Sequence, residues 1–94
     1  MAKVIIRRRS TVKVLASEEF KVFMDGKLIG RISPSQKIEC EVNEGKHLLV
    51  LESSVDGVEQ EILVKEDTNS VEIVASAIRI FLSSKPVIRD VIIE

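Results

Sequence analysis

Few side chains in this sequence could carry out chemistry, and two of them occur only once. His47 is the only histidine and Cys40 the only cysteine. A Ser-His-Asp or Cys-His arrangement would have to use His47 as its base, with Cys40 or a nearby serine as the nucleophile. The sequence indicates no oxyanion hole and no third group to orient the histidine. We therefore interpret His47 as a partly exposed residue of a β-sheet, and we expect a protein that is not an enzyme.

Metal and acid–base sites are also poorly supported. One histidine and one cysteine cannot fill a tetrahedral zinc site within one chain. The pairs Glu39/Glu41 and Glu59/Glu61 have the spacing of residues that share the solvent face of a strand, where glutamates ordinarily keep a sheet soluble. Neither G-x-G-x-x-G nor a P-loop is present. The sequence thus predicts no metal site and no cofactor.

The one basic cluster is Arg7-Arg8-Arg9, with Lys13 close behind it. Such a run could contact the phosphates of a nucleotide or another anionic ligand. On a strand, however, Arg7 and Arg9 share one face and Arg8 points to the other. The formal net charge of −1 gives no general attraction to nucleic acid or to an acidic membrane. An anion-binding module that uses the three arginines is therefore the alternative function, and a nucleic-acid partner is not expected.

In its early arginine run and its length, the chain resembles the cyclic-di-GMP-binding PilZ proteins. Those proteins carry a D/N-x-S-x-x-G motif after the arginines. The closest stretch here, residues 31–36 (RISPSQ), keeps only the serine. The PilZ family is therefore not the leading interpretation.

Composition bounds the size of the fold and the location. The 94 residues are 45% hydrophobic and 31% charged, which predicts one globular domain over residues 1–94 that needs no disulfide or metal. Three phenylalanines, without tryptophan or tyrosine, offer few platforms for stacking sugars or single-stranded nucleic acid. No signal-peptide pattern and no bilayer-spanning run is visible. If Met1 is the native start, we expect a cytoplasmic protein without membrane insertion.

Short segments of alternating apolar and polar residues are separated by turn signals about every eight to twelve residues. This pattern predicts an all-β fold, an antiparallel two-sheet sandwich of about seven strands, immunoglobulin- or transthyretin-like. Outside the centre of the chain, the predicted strands are Lys3–Arg9, continued by Val12, Val14 and Ala16; Val58–Lys65; and a strand with Val71, Ile73 and Ala75 inward, which Ser76–Leu82 could extend. A break at Ser83–Pro86 and a last extended segment, Val87–Glu94, follow.

The centre of the prediction is the stretch from Phe20 to Leu51, which we interpret as two successive hairpins. The first turns at Asp25-Gly26, a dipeptide suited to positive backbone angles. We expect a three-residue loop with Gly26 in a bulge, because this register separates apolar from charged residues. It pairs Phe23 with Ile29 on the outer face. The residues that it turns inward are Phe20, Val22, Met24, Leu28 and Ile32.

The second predicted hairpin begins after Ser33-Pro34-Ser35, where the proline interrupts the hydrogen-bond ladder. Ile38, Cys40 and Val42 alternate with charged residues, which is typical of a strand with one buried face. The turn is expected at Asn43–Lys46, and the returning strand runs from His47 to Leu51.

The C-terminal segment is unusual because Val91, Ile92 and Ile93 are consecutive apolar residues, and one face of a strand cannot cover all of them. One interpretation is a strand buried on both faces or a tail folded onto the core. The other is an edge strand that pairs with another chain, which would form a homodimer through Val87–Glu94.

Two motifs in the central stretch resemble the PEGA group of small β-sandwich modules. These carry V-x-V-D-G-K-x-x-G followed by P-E-G-x-H-x-V. The match covers roughly residues 20–65, and Asn43 replaces the turn proline. The matching residues are Asp25, Gly26, Lys27, Gly30, Glu44, Gly45 and His47. The resemblance implies a transthyretin-like or immunoglobulin-like sandwich, an accessory or binding module, and no catalytic residues.

The sequence therefore predicts a non-enzymatic β-sandwich that acts by protein–protein interaction or self-association. Apolar residues at outward positions mark the expected contact surfaces. These are the pair Phe23 and Ile29, and Val91 and Ile93 in the C-terminal segment.

Overall fold

The computed structural model describes residues 1–9, 18–80 and 83–94. That part of the chain contains no helix, and hence none long and apolar enough to cross a membrane. Its strands are β1 (Ala2–Arg8), β2 (Phe20–Met24), β3 (Lys27–Ile32), β4 (Lys37–Val42), β5 (Gly45–Glu52), β6 (Gly57–Val64), β7 (Ser70–Ile80) and β8 (Ser83–Ile93). The predicted continuation of the first strand through Val12, Val14 and Ala16 lies outside the described residues, as does Lys13.

The strands form two four-stranded sheets that pack against each other, which confirms the predicted β-sandwich. The first sheet has the order β4-β1-β7-β8 and the second the order β3-β2-β5-β6. The described chain thus has eight strands, one more than expected. It is also not wholly antiparallel, because β1 and β7 pair in parallel. The long connection that a parallel pair requires is supplied here by the whole second sheet.

The core lies between the sheets and is built from the inward residues of each strand. Alternation of apolar and polar residues gives each strand one buried face, as predicted. The hydrophobic effect over this face is the main stabilising term of such a fold. The buried apolar residues are Ala2, Val4, Ile6, Phe20, Val22, Met24, Ile32, Val42, Leu49, Leu51, Ile62, Val64, Val71, Ile73, Ala75 and Ala77.

The first hairpin turns through two residues, not the predicted three. Asp25 and Gly26 have φ values of 53° and 83°, which are the positive angles of a type I′ turn. Met24 consequently pairs with Lys27. The bulge that the alternation requires lies farther along β3, where Ile29 is the additional residue between two regular pairings.

This placement of the bulge corrects two predictions. Beyond the bulge the register is as expected, since Phe20 pairs with Ile32 and both are buried. Before it, Leu28 is not inward as predicted but 45% exposed, and it pairs with Phe23. Ile29 is not outward as predicted but packs against the core. Alternation alone cannot distinguish the two arrangements, because an extra residue at either place restores the same register afterwards.

The predicted second hairpin does not form, because β4 and β5 belong to different sheets. β4 pairs with β1, whereas β5 pairs with β2 and β6. The faces of β4 are nevertheless as predicted, with Cys40 and Val42 turned inward. Residues 33–36, which include Pro34, carry the chain from the second sheet to the first, and residues 43–44 return it. Period-two alternation shows which face of a strand is buried, not which strand lies beside it.

The predicted break at Ser83–Pro86 is also wrong, since these residues belong to β8. Pro86 pairs with Ala77 in the β7–β8 hairpin. A proline fits there because β8 is an edge strand, and only one of its sides needs hydrogen-bond donors. The segment Val87–Glu94 therefore pairs mostly within its own chain. A bulge at Arg89 follows the proline on the same strand.

Candidate functional site

His47 and Cys40 both line a cleft of about 350 Å³ between the two sheets. They reach it from opposite sides, because Cys40 lies on β4 of the first sheet and His47 on β5 of the second. Apolar side chains such as Met24 and Ile29 line the same cleft. Cys40 and His47, the candidates for nucleophilic chemistry, therefore line the same cleft. They do not belong to the same hairpin.

The geometry of His47 is that of a structural ion pair. Its Nδ1 lies 2.6 Å from Oδ2 of Asp25, and its Nε2 lies 2.7 Å from the carbonyl oxygen of Asn43. Both oxygens are acceptors, so the imidazole donates from both nitrogens when it is protonated and positively charged. The hydrogen bond to Asp25 is the largest cause that raises the pKa of His47. With both nitrogens engaged, the ring has no free lone pair for a base or a metal ligand.

Cys40 is not activated by this histidine. Burial, and after it the negative charge of Asp25, raises the pKa of the thiol, which favours the weakly nucleophilic protonated form. Among the described residues, no group of three or more His, Cys, Asp or Glu side chains is placed to hold a metal ion. Within the described part of the chain, the cleft thus contains a thiol held toward its protonated form and a histidine whose two ring nitrogens both have hydrogen-bond partners.

The three arginines of the basic cluster do not form one surface. Arg8 is completely buried, whereas Arg7 and Arg9 are exposed, as the alternation on a strand predicts. Nε of Arg7 lies 3.4 Å from a carboxylate oxygen of Glu72 on the neighbouring strand β7. An anion could therefore reach Arg9, and Arg7 in competition with Glu72, but not Arg8.

Arg8 instead connects three parts of the fold. Its Nη1 donates to the carbonyl oxygens of Glu18, at 2.6 Å, and of Ile32, at 3.0 Å. The guanidinium lies over the ring of Phe20, 3.8 Å from its centroid, in a cation–π contact. Burial lowers the pKa of Arg8 against the opposing effect of Glu18. The residue acts as an internal link between β1, β2 and β3.

The outer face of the first sheet is charged on β4 and on the neighbouring part of β1 and β7. Toward β8 it also carries Ile78 and Ile92, which are 44% and 37% exposed. Glu39 forms an ion pair with Lys37 at 3.2 Å and another with Lys3 at 3.7 Å. Both lysines lower the pKa of Glu39, Lys37 more strongly. Ile5 and Val74 lie between the charged residues, and Val74 is only 2% exposed. We call the following residues the charged face: Lys3, Arg7, Lys37, Glu39, Glu41 and Glu72.

The outer face of the second sheet is apolar along its middle. Phe23 on β2 pairs with Leu28 on β3 and with Val50 on β5, so their side chains form one row across three strands. Leu48 and Leu63 lie on the same face of β5 and β6. Leu28 and Leu63 are 45% and 49% exposed, and the other three are half-buried. We call these five residues the apolar face.

Of the four residues predicted for contact surfaces, the structure places one on the apolar face. Phe23 is at its centre, while Ile29 and Val91 pack against the core. Ile93 is 58% exposed near the end of β8, which belongs to the other sheet. The sequence analysis missed Leu28, Leu48, Val50 and Leu63. Finding them required knowing that β5 lies beside β2, since only that pairing brings Val50 next to Phe23.

Comparison with known proteins gives no guide to function, because the chain matches no protein family, no curated protein and no solved structure.

Proposed function

We propose that this protein is a non-enzymatic binding module that acts through protein–protein contact, and that the apolar face is its contact surface. The observation that carries the proposal is the continuous outward row of Leu28, Phe23 and Val50 on the second sheet. A contiguous apolar patch at the surface is characteristic of interaction sites, whereas isolated exposed apolar residues are common everywhere.

The surroundings of the row also suit a contact surface. Aromatic residues are enriched at the centres of protein interfaces, and charged residues at their rims. Phe23 occupies the centre of this row. Lys21 and Arg31 lie beyond it on one side, and Glu59 and Glu61 on another.

We further propose that the chain is a PEGA-like module, and the Asp25–His47 contact supports this. In the first PEGA-like motif, Asp25 directly follows strand β2. The second motif contains His47. The two residues form the ion pair described above, while the backbone N–H of Leu48 donates to Asp25 Oδ1 at 2.8 Å. The matched positions thus have a joint structural role in fastening the β2–β3 turn to β5.

The anion-binding alternative has less support. It needs a cluster of free guanidinium groups. Of the three arginines, Arg8 is buried and Arg7 is paired with Glu72, so only Arg9 is exposed without an ion pair among the described residues. We therefore do not propose it as a second function.

Site-specific photo-crosslinking tests the proposed contact surface even though the partner is unidentified. A benzophenone amino acid is placed at Leu28 or Val50, with Lys37 and Glu41 on the charged face as matched control positions. The protein is then irradiated inside the cells that produce it. We expect discrete protein adducts from the first two positions and none from the controls. Equal adducts from both faces, or none from Leu28 and Val50, would contradict the proposal.

A further inference from the structure

We infer that the partner on the apolar face is a second copy of this chain, packed face to face about a two-fold axis that runs parallel to the strands. This inference rests on the proposed function and specifies its partner. It follows from the distribution of charge around the apolar row, which is unequal between the two halves of the second sheet.

The register of the sheet places the outward residues in rows across its strands. One row runs Arg31, Lys21, Glu52 from β3 through β2 to β5. The next row runs Leu28, Phe23, Val50, Glu59 and reaches β6. The first row thus changes from basic on β3 and β2 to acidic on β5, and the second changes from apolar to acidic at β6.

The β2–β3 half of this face is basic and the β5–β6 half is largely acidic. Lys21 and Arg31 are the outward charged residues of the first half, and both are exposed. Glu52, Glu59 and Glu61 occupy the second half and are also exposed. Lys46 is a basic residue of this half; it lies at the opposite end of β5 from Glu52 and diagonal to Glu61. A face with two halves of opposite sign is complementary to itself when one copy is turned over.

Only one of the two simple in-plane axes uses this complementarity. An axis parallel to the strands, between β2 and β5, lays β2 of one copy on β5 of the other. It brings Lys21 opposite Glu52 of the second copy and Phe23 opposite Val50 of the second copy. In the same row, Leu28 lies opposite Glu59 of the second copy. An axis across the strands would lay β6 on β6 and bring Glu59 together with Glu61 of the second copy. Like charges in contact oppose association, so the first axis is favoured.

An isologous contact of this kind makes each interaction twice. The Lys21–Glu52 pair and the Phe23–Val50 contact therefore both occur on each side of the axis. Four strands at about 4.8 Å spacing, each about six residues long at about 3.3 Å per residue, give a face of about 19 by 20 Å, on the order of 400 Å². This area is smaller than the roughly 800 Å² per partner of a standard stable interface. We therefore expect a weak dimer that forms at high micromolar concentration.

β8 is a less suitable site for self-association. It is one of the two edge strands of the first sheet among the described strands, and an exposed edge can pair with another chain. However, Pro86 and the bulge at Arg89 both lie on this strand, and both features are typical of edges that resist such pairing. The homodimer through Val87–Glu94 that the sequence suggested is therefore not our proposal.

Charge-reversal variants test the inference by sedimentation velocity over a wide concentration range. Lys21→Glu alone places two glutamates opposite each other across the dimer, and Glu52→Lys alone places two lysines opposite each other. Each single variant should raise the dimer dissociation constant at least about tenfold. A 1:1 mixture of the two variants should form a heterodimer of near wild-type affinity. At both contacts of that heterodimer, the residue at position 21 lies opposite a residue of opposite charge at position 52.

The double variant K21E/E52K provides a second test that does not depend on the stability of either single variant. It exchanges both charges, so the two positions keep opposite signs within one chain and across the dimer, and it should dimerise like the wild type. Lys3→Glu on the charged face is the control and should leave the dissociation constant unchanged. Circular dichroism checks that each variant is folded.

Two outcomes would overturn the inference. One is a wild-type chain that stays monomeric up to millimolar concentration. The other is a double variant K21E/E52K that is folded but associates no better than either single variant. Crosslinks from Leu28 and Val50 to a different protein, together with a monomeric purified chain, would remove the second copy as partner but leave the proposed function intact.

Discussion

The two outer faces of this sandwich differ although their strands are built on the same alternating pattern. On the charged face, Glu39 is paired with two lysines and Arg7 with Glu72. On the apolar face, a phenylalanine and a leucine occupy the corresponding outward positions of adjacent strands. Ion pairs at an exposed surface contribute little to stability, and exposed apolar residues contribute less than buried ones. This difference is the basis of our proposal that the apolar face mediates contact.

The first prediction separates the charged face from the interior beneath it and has the largest expected effect. Arg7 and Arg8 are adjacent in β1, but only Arg8 is buried. Arg8→Ala leaves the carbonyl oxygens of Glu18 and Ile32 without their donor and creates a cavity beside Phe20. We expect the free energy of unfolding to fall by about 3 kcal/mol.

Arg7→Ala is the matched control and should change the free energy of unfolding by less than about 0.5 kcal/mol. Urea unfolding followed by circular dichroism measures both variants, since the chain has no tryptophan or tyrosine for fluorescence. Similar losses for the two variants would show that the position of Arg8 in the core is wrong.

The second prediction compares two adjacent residues of β3 that the bulge turns to opposite sides. Ile29→Ala removes a side chain packed against the core and should cost about 2 kcal/mol of unfolding free energy. Leu28→Ala removes a side chain from the apolar face and should cost less than about 1 kcal/mol while weakening association. The reverse order of stability losses would support the three-residue loop expected in the sequence analysis.

The third prediction concerns Phe23 at the centre of the apolar face. Phe23→Ser should weaken association at least about tenfold, equivalent to about 1.4 kcal/mol of binding free energy. Because the ring is only half-buried and faces outward, the stability loss should stay near about 1 kcal/mol. A loss of about 3 kcal/mol or more, the range of a buried aromatic truncation, would place Phe23 in the core instead.

The fourth prediction is a small pH dependence at the end of the second sheet, where Asp25 and His47 pair. The folded state raises the pKa of His47 above 6.5, so its contribution to stability is complete below that pH and is lost as the pH rises through the raised value. The folded state lowers the pKa of Asp25 below 3.8. Its contribution is present above that pH and is lost as the pH falls through the lowered value.

The Asp25–His47 pair therefore stabilises the fold between the lowered pKa of Asp25 and the raised pKa of His47. Its contribution to the free energy of unfolding should be only about 0.5 kcal/mol, because Asp25 is half-exposed. Midpoints of urea unfolding measured between about pH 5 and pH 9 test the loss of stability at the upper end of this pH range. His47→Gln is the control, because it should remove this pH dependence. A wild-type midpoint that rises with pH through the titration of His47 would have the wrong sign for this pair.

Much of the fold could be predicted from the sequence, because burial follows from alternation within one strand. The inward positions of Phe20, Val22 and Met24 and of Ile62 and Val64 agree with the pattern. The division of Arg7 and Arg8 between the outside and the inside of the sandwich also follows from it. These features depend on the strand alone.

The remaining features depend on how strands combine, which alternation does not specify. The sequence could not show that β4 pairs with β1 and β5 with β2. The predicted hairpin of β4 with β5 would bury the same faces of these strands. It could not place the bulge at Ile29 rather than at Gly26, for the same reason. The apolar face was consequently predicted only at Phe23, since its other members are neighbours in space and not in sequence.

We propose that the chain associates with itself through the apolar face and not through the charged face. A dilution series of two-dimensional ¹H–¹⁵N NMR spectra tests this residue by residue, because every backbone amide reports on its own surroundings. We predict that concentration-dependent shifts concentrate at residues 21–31 and 46–63, and that Lys3, Arg7 and residues 37–41 do not change. Shifts confined to the charged face or to residues 87–94, or spectra that do not change at any concentration, would contradict self-association through the apolar face.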